Sequence, residues 1–290
     1  DKFSKECINY LEYFPADYRV FILQNMLNEK DVLSDFEKEI LDFLPEDENL
    51  LYIKKDIYNL WKLGVAYIDG GRYDDAIFTL RKSLDLLEDQ NEPTFQLDRI
   101  KFVAGRITGY LGNAYLSNGN IEKATISYDR QLRIAIESGD LTSESTAYGS
   151  FANIYQIQGD FTSAIRYFKK QLKISLKNNF HNNTCMGLIG LANVYYDLEK
   201  YNSAIKLFAF SLKISQGIGD FGAHGTALGN MGLCQSKLGN HDVAIKLFQD
   251  AIVFYQYKGD DASEAGMLAN IGTAYKEMGD GEEALNYYKK

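Results

Sequence analysis

A single pattern recurs along this chain at a fixed interval, and it constrains the fold more than any other feature of the sequence. An alanine marks each copy, with successive spacings of 48, 40, 40, 40 and 40 residues: Ala76, Ala124, Ala164, Ala204, Ala244 and Ala284. Glycine stands five residues before the alanine in every copy except the one that has Glu199. Because self-similarity at a fixed period is typical of repeat architectures, the sequence predicts a stack of similar units rather than one globular core.

Each unit is predicted to hold two helices with a turn between them. In the second unit, Leu111, Ala114 and Tyr115 follow helical spacing and give one apolar face. Gly119 then suits the left-handed conformation that ends a helix. The second helix of this unit has its own apolar face, formed by Ala124, Tyr128, Leu132 and Ala135. The chain has only 3 prolines, as long helices require, so we expect an all-α fold.

The repeat register predicts the domain organisation. Six units are expected at about 58–98, 106–140, 146–180, 186–220, 226–260 and 266–290, the last of them truncated. The first two units are further apart than the others, and we expect a loop at 88–98 to hold the extra residues. Residues 1–57 do not fit the register and are predicted to form helices at about 5–14, 16–28 and 34–44. This segment is either an N-terminal cap or a set of degenerate repeats. Because the chain opens without methionine and stops inside a predicted helix, we expect it to be part of a larger protein.

Charge and cysteine usage narrow the classes of partner and compartment. The formal net charge is −9, and no basic stripe is evident in the sequence, so nucleic acid is a poor candidate partner. No apolar run reaches the roughly 18 residues of a membrane-spanning helix, and we expect no membrane insertion. Cys7, Cys185 and Cys234 are odd in number and far apart, which favours free thiols in the cytoplasm over disulfides.

The sequence contains no recognisable catalytic or metal-binding set. It lacks a phosphate-binding glycine loop, a nucleophile elbow and a zinc-protease motif. His181 and Cys185 are four residues apart and fit one helical face, but two ligands do not make a zinc site. The alternative interpretation places His181 at a solvent-facing helix start. We therefore expect no enzyme activity, no cofactor and no metal.

The repeated Leu-Gly-x-x-Tyr and Ala-x-x-x-Phe patterns resemble the tetratricopeptide repeat (TPR) over about residues 58–290. The resemblance implies a right-handed superhelical solenoid in which the first helix of each unit, helix A, lines a concave groove. The unit here is 40 residues long rather than about 34, and it lacks the proline that commonly closes helix B. In this it resembles kinesin light chains, the Leu-Gly-Asn spindle-orientation adaptors, and the repeat arms of bacterial signalling NTPases and caspase-like proteases.

Asparagines recur at fixed positions of helix A. Asn113, Asn153 and Asn193 share one register position, and Asn230 and Asn270 stand three residues earlier in the last two units. Asparagine inside a helix costs about 0.5–0.7 kcal/mol relative to alanine, so helix propensity does not explain the repetition. The TPR resemblance places these carboxamides in the groove, where they would bind an extended peptide backbone, as the matching asparagines of the Leu-Gly-Asn adaptors do. The alternative is that they bond neighbouring helices and are structural.

Other side chains expected to face the groove have mixed charge and polarity: Arg106, Ser117, Gln156, Tyr196, Asp197, Lys237, Lys276 and Glu277. That mixture favours a peptide ligand with both charges and apolar anchors over a polyanion. The leading hypothesis is therefore a scaffold that binds a segment of a partner protein in the groove. The alternative is a sensor arm of a larger signalling NTPase or caspase-like protease whose catalytic part lies outside this chain.

Overall fold

The computed structural model describes residues 48–88 and 97–290, and in these ranges the regular structure is entirely α-helical, as predicted. The helices are α1 Glu48–Asp69, α2 Tyr73–Glu88, α3 Leu97–Ser117, α4 Ile121–Ser138, α5 Leu141–Ile157, α6 Phe161–Lys177, α7 His181–Asp197, α8 Tyr201–Ile218, α9 Phe221–Lys237, α10 His241–Lys258, α11 Asp261–Glu277 and α12 Gly281–Tyr288. The three helices predicted within residues 1–44 lie outside the described ranges. So does most of the loop predicted at 88–98, although Glu88 ends α2 and Leu97 begins α3.

The helices follow the predicted alternation, with odd-numbered helices as helix A and even-numbered helices as helix B. The helix that contains Trp61, α1, begins at Glu48, ahead of the unit start expected near residue 58. The chain divides into two compact halves, residues 1–147 and 148–290, here called the N-terminal half and the C-terminal half, with the boundary inside α5. In the N-terminal half, α1 packs on α2 and α3 packs on α4. In the C-terminal half, each helix from α6 to α11 packs on the next.

Each described turn between consecutive helices contains one left-handed residue, which is glycine except at Asn179 and Glu199, as the glycine pattern predicted. Gly119, between α3 and α4, has φ of 78°, and Gly139, after α4, has φ of 70°. Both values lie in the region that costs a residue with a Cβ about 1–2 kcal/mol, which explains the glycine pattern. Glu199 occupies the equivalent position between α7 and α8 with φ of 60° and bears that strain.

The next helix in several units starts on an acidic or amide side chain that caps it. The carboxylate of Asp160 accepts a 3.0 Å hydrogen bond from the backbone N–H of Ser163, and Asp220 does the same for Ala223. Asn120 caps α4 in the same way through the backbone N–H of Lys123. These bonds satisfy backbone donors that helix geometry leaves free at the first turn.

In the second to fifth repeats, the core packs small residues against a large buried ring on helix B, whereas the first repeat has Leu80 at that position and Tyr288 of the sixth is 47% exposed. The marker alanines and the rings of Tyr128, Phe168, Phe208 and Phe248 are fully buried. A Cβ added to Gly112 would lie 2.5 Å from the Tyr128 ring, and one added to Gly232 would lie 2.6 Å from the Phe248 ring. The small residues are therefore required by the close approach of the two helices, as the sequence predicted.

The tyrosines nine residues before the marker alanine only partly follow the prediction that they pack in the core. Tyr67 and Tyr115 are buried, whereas Tyr155, Tyr195 and Tyr275 keep part of their rings exposed. None of the described helices combines the length and the apolar character that crossing a lipid bilayer demands.

Candidate functional site

The candidate site is one exposed stripe on the A helices of the C-terminal half, residues 148–290, and is here called the A face. Helical spacing puts its members on one side of each helix, at intervals of three, four and seven residues. They are Asn153, Gln156 and Ile157 on α5; Met186, Asn193, Tyr196 and Asp197 on α7; Asn230, Ser236 and Lys237 on α9; and Asn270, Thr273, Lys276 and Glu277 on α11.

Side-chain hydrogen bonds join successive A helices across this face. They run from Gln156 Nε2 to Asp197 Oδ2 at 2.7 Å, from Asn230 Nδ2 to Asn193 Oδ1 at 3.0 Å, and from Ser236 Oγ to Glu277 Oε2 at 3.2 Å. The first and third link equivalent positions of the repeat, which are 41 residues apart in both cases. Part of the polar stripe thus holds neighbouring repeats together.

The asparagines of the A face differ in what remains available to a ligand. Asn153 is exposed on α5 and makes no hydrogen bond to any residue in the described ranges. Asn193 uses its oxygen for Asn230, while its amide group donates no hydrogen bond within those ranges. Asn270 is half-buried and likewise has no bond to a described residue. A carboxamide has two donors and an acceptor, so these groups retain binding capacity.

Two apolar side chains stand out on the A face next to the asparagines. Ile157 is 58% exposed and lies one turn after Asn153, and Met186 is 60% exposed and lies two turns before Asn193. Sequence reasoning missed both residues because their positions are not apolar in the other units. Tyr196, by contrast, packs edge-on against Tyr201 at 5.4 Å. Lys237 and Lys276 are exposed.

In the N-terminal half of the chain, the side chains of Asn113 and Arg106 on α3 bind other residues of this chain. Asn113 is exposed, and its oxygen accepts a 2.7 Å hydrogen bond from the hydroxyl of Tyr128. The Arg106 guanidinium stacks 4.4 Å from the Phe102 ring centroid and lies 3.8 Å from Asp140. Asp140 itself caps α5 through the backbone N–H of Ser143, so Arg106 supports that helix start. Ser117, the last residue of α3, is exposed.

In the described ranges, the thiols and histidines do not form a reactive or metal-binding group. Cys185 is fully buried while His181 is exposed at the start of α7, so the two do not share an accessible surface. Burial raises the pKa of the Cys234 thiol to about 11, which keeps it protonated and unreactive. Within the described ranges, no cluster of three or more His, Cys, Asp or Glu side chains is placed to hold a metal ion.

The repeat pattern and the helix pairs agree with a known family. A tetratricopeptide repeat family model matches residues 104–177, 183–256 and 226–290, and a second such model matches residues 58–86. The chain belongs to the tetratricopeptide repeat family. No curated protein is significantly similar to this TPR chain in sequence.

Solved structures of other helical-repeat proteins share the fold. The apo form of RapI aligns with a TM-score of 0.65 at 14% identity, over 99% of this chain and 94% of that one. The Rap conjugation gene regulator of plasmid pLS20, solved with the Phr* peptide, aligns with a TM-score of 0.65 at 15% identity, over 97% and 71%. A signal transduction ATPase with a tetratricopeptide repeat sensor, from Pyrococcus horikoshii, aligns with a TM-score of 0.61 at 15% identity, over 99% of this chain but 42% of the ATPase. At these identities the likeness establishes the helical-repeat fold.

Proposed function

We propose that this TPR chain is an interaction scaffold that binds an extended segment of a partner protein on the A face. The observation that carries the proposal is the unused carboxamide of Asn153, exposed on α5 without a hydrogen bond to any described residue. Holding an exposed asparagine in the middle of a helix costs about 0.5–0.7 kcal/mol, and no hydrogen bond to a described residue offsets that cost. A peptide backbone offers the N–H and C=O groups that a carboxamide recognises.

The surroundings of Asn153 supply the other parts of a peptide site. The exposed side chains of Ile157 and Met186 are candidate anchors for apolar residues of a ligand. Lys237, Lys276 and Glu277 add both charges, so the face is not specialised for a polyanion. Together they match a recognition mode in which backbone bonds give affinity and side-chain contacts give specificity.

The structural comparisons are consistent with this proposal. The Rap conjugation gene regulator of pLS20 was solved with the Phr* peptide, so a chain with this fold accommodates a peptide ligand. The unit length of 40 residues further supports a relationship to the long-repeat adaptors and kinesin light chains, which we keep as a proposal.

The second candidate function is a sensor arm within a larger protein. It is favoured by the alignment of this chain to 42% of an ATPase that carries a TPR sensor. In that case binding at the A face would bias an attached catalytic domain. In either role we propose that the chain works in the cytoplasm and does no chemistry itself, which the buried free thiols of Cys185 and Cys234 support.

The test is selection of random linear peptides on the immobilised chain, followed by affinity measurement against two variants. The A-face variant is Asn153→Ala/Met186→Ala. The matched control is Asn202→Ala/Val253→Ala, which removes an exposed asparagine and an exposed apolar side chain from the B helices α8 and α10. All three proteins should remain folded with similar stability, because these side chains are exposed and an asparagine-to-alanine change in a helix shifts the free energy of unfolding by only about 0.5 kcal/mol.

We expect the selected peptides to bind the wild type and the control equally and the A-face variant at least about tenfold more weakly, a loss of about 1.4 kcal/mol. Peptides that bind all three proteins equally would move the site away from the A face. Failure to enrich any peptide would overturn peptide binding as the function.

A further inference from the structure

The middle of this acidic chain is strongly basic. Residues 161–218 hold eight lysines or arginines and two acidic residues, a net charge of +6 in a chain whose total is −9. The absence of a basic stripe, expected from the sequence, was therefore wrong. The whole-chain balance concealed a local excess of positive charge, and the structure shows how the helices arrange it.

Helix α6 carries five basic residues and no acidic one. They are Arg166, Lys169, Lys170, Lys173 and Lys177, and all five are exposed. Their spacings of three, four and seven residues put them on one side of the helix, away from the buried Ala164 and Phe168. One side of α6 is thus a continuous row of cations.

Helix α8 continues this row in the next repeat. Lys206 and Lys213 are exposed and stand 40 residues after Arg166 and Lys173, at the same register positions. Helix α8 also contains no acidic residue. We call the seven side chains the basic face: Arg166, Lys169, Lys170, Lys173, Lys177, Lys206 and Lys213.

Three lysines of the basic face lack a carboxylate partner among the described residues, whereas Arg166 interacts electrostatically with Asp160. In the described ranges, no carboxylate lies within ion-pair distance of Lys169, Lys173 or Lys213. Helix α4, in the N-terminal half, differs from α6 in having a paired cation, because Arg133 lies 3.1 Å from the carboxylate of Asp129. Like charges at helical spacing repel one another, so a free basic row costs some stability. A partner that supplies negative charge would relieve that repulsion.

Aromatic rings hold part of the basic face in position. The Lys170 ammonium lies 4.9 Å from the ring centroids of both Tyr148 and Tyr167, and the Arg166 guanidinium lies 5.4 Å from Tyr167. Contacts of this kind are worth about 0.5–1 kcal/mol at exposed sites. Two of the cations are therefore partly ordered before any ligand arrives, which lowers the entropy lost on binding.

Exposed apolar side chains interrupt the basic face. Phe210 is 46% exposed and lies between Lys206 and Lys213, one turn from each. Leu176 is 51% exposed beside Lys173 and Lys177. A ligand that satisfies this surface needs carboxylates for the cations and apolar groups for Phe210 and Leu176.

We propose that the basic face is a second docking surface, which binds an acidic segment of a partner protein with apolar residues between its carboxylates. The row on α6 from Arg166 to Lys177 extends for about 16 Å at 1.5 Å per residue. That length matches about five residues of extended peptide. A peptide can alternate carboxylates with apolar side chains, and so contact both the lysines and Phe210. The surface lies on B helices, so this proposal does not depend on peptide binding at the A face.

The test uses a fluorescent peptide of about twelve residues, rich in Glu with Leu and Phe spaced between, and the full chain. The charge-reversal variant is Lys169→Glu/Lys173→Glu/Lys213→Glu. The control, Arg81→Glu/Lys82→Glu/Lys289→Glu, makes the same change in net charge at exposed positions elsewhere. Circular dichroism melting checks that both are folded, and a Phe210→Ala variant reports on the apolar contact.

We expect the peptide to bind the wild type and the control, and at least about tenfold more weakly to the charge-reversal variant. Added salt should weaken the wild-type binding, because exposed charges are screened over about 8 Å at physiological ionic strength. Phe210→Ala should weaken binding at every salt concentration. Equal weakening in the control, or no binding to the wild type, overturns the proposal. Binding of an oligothymidine probe or of phosphatidylserine vesicles in place of the peptide would assign the surface to a different anion and also overturn it. Asn153→Ala/Met186→Ala should leave this binding unchanged.

Discussion

The hydroxyl of Tyr128 on α4 donates a 2.7 Å hydrogen bond to the carboxamide oxygen of Asn113 on α3. The same two register positions meet again at the end of the chain, where the hydroxyls of Tyr288 and Thr273 are 3.1 Å apart. In the three repeats between, the ring is Phe168, Phe208 or Phe248 and has no hydroxyl to offer Asn153 or Asn193, and the fifth repeat has Leu233 at the asparagine position. The choice between tyrosine and phenylalanine on helix B therefore decides whether the polar side chain on helix A is bonded inside its own unit.

Two matched alanine substitutions test this relationship. Asn113→Ala removes the oxygen that accepts the Tyr128 hydroxyl bond, which costs about 1 kcal/mol, and gains about 0.5 kcal/mol in helix propensity. The free energy of unfolding should therefore fall by about 0.5 kcal/mol. Asn153→Ala breaks no bond to a described residue and should raise it by up to about 0.5 kcal/mol through helix propensity. Urea unfolding followed by circular dichroism measures both. Equal effects of the two substitutions would mean that the Tyr128 bond contributes nothing to stability.

Two glycine-to-alanine substitutions, made separately, test the close packing of helices in the C-terminal half. A Cβ on Gly190 would lie 2.3 Å from the buried ring of Phe168, so Gly190→Ala should destabilise by about 1–3 kcal/mol. Gly266, in helix α11, has nothing within 4 Å of the same added atom. Gly266→Ala should therefore stabilise by about 0.5–1 kcal/mol, because alanine is the better helix former. Thermal melting separates these opposite signs, and a neutral Gly190→Ala would show that the ring can move aside.

The left-handed turn after α7 offers a stabilising substitution. Glu199 has φ of 60° where the other units have glycine, and its side chain is exposed. Glu199→Gly should relieve that strain and raise the free energy of unfolding by about 0.5–1 kcal/mol, net of the extra entropy of glycine in the unfolded chain. The control Glu277→Gly, at the end of helix α11, should destabilise. Differential scanning calorimetry of the three proteins gives the comparison, and a lower melting temperature for Glu199→Gly would contradict it.

The buried environment of His224 predicts a pH dependence of stability. Burial lowers the pKa of His224 below its ordinary value of 6.5, and its ring lies 4.6 Å from Phe254 with Nδ1 3.0 Å from Ser215 Oγ. The unfolded chain therefore binds this proton more readily, so the stabilising contribution is complete above pH 6.5 and is lost as the pH falls through the folded pKa.

We expect the melting temperature of His224→Asn to fall less than that of the wild type between about pH 7.5 and 5.5. His181→Gln, at the exposed start of α7, is the matched control and should behave as the wild type does. If both variants follow the wild-type curve, His224 makes no contribution to the pH dependence.

The sequence predicted the fold well because its main determinants are local. The marker alanines, the turn glycines and the helical spacing each report on contacts within a unit or between neighbours, and these repeat every 40 residues. The repeat register placed the start of the first repeat at about residue 58, whereas α1 begins at Glu48, because residues 48–57 carry no repeat signal.

The candidate sites were harder to predict because they depend on the differences between units. Register placed Asn193 and Gln156 on helix A, but it did not reveal their partners Asn230 and Asp197 in the next repeat. The exposure of Met186 follows from the position of neighbouring helices, which the period alone does not specify. The basic face was concealed by counting charge over the whole chain, whereas a helix-by-helix count of α6 reveals it.

The left-handed turns after the B helices have a consequence for how such a chain changes length. Asn179 and Gly219 occupy equivalent turns, with φ of 56° and 70°, and each is followed by the residue that precedes the next helix A. Removing residues 180–219 would join Asn179 to Asp220, and the remaining helices would keep their pairing. Duplicating the same stretch would add one unit at the same junction. Because these turns are equivalent, we expect that one 40-residue repeat can be removed or duplicated without changing the packing inside the other repeats.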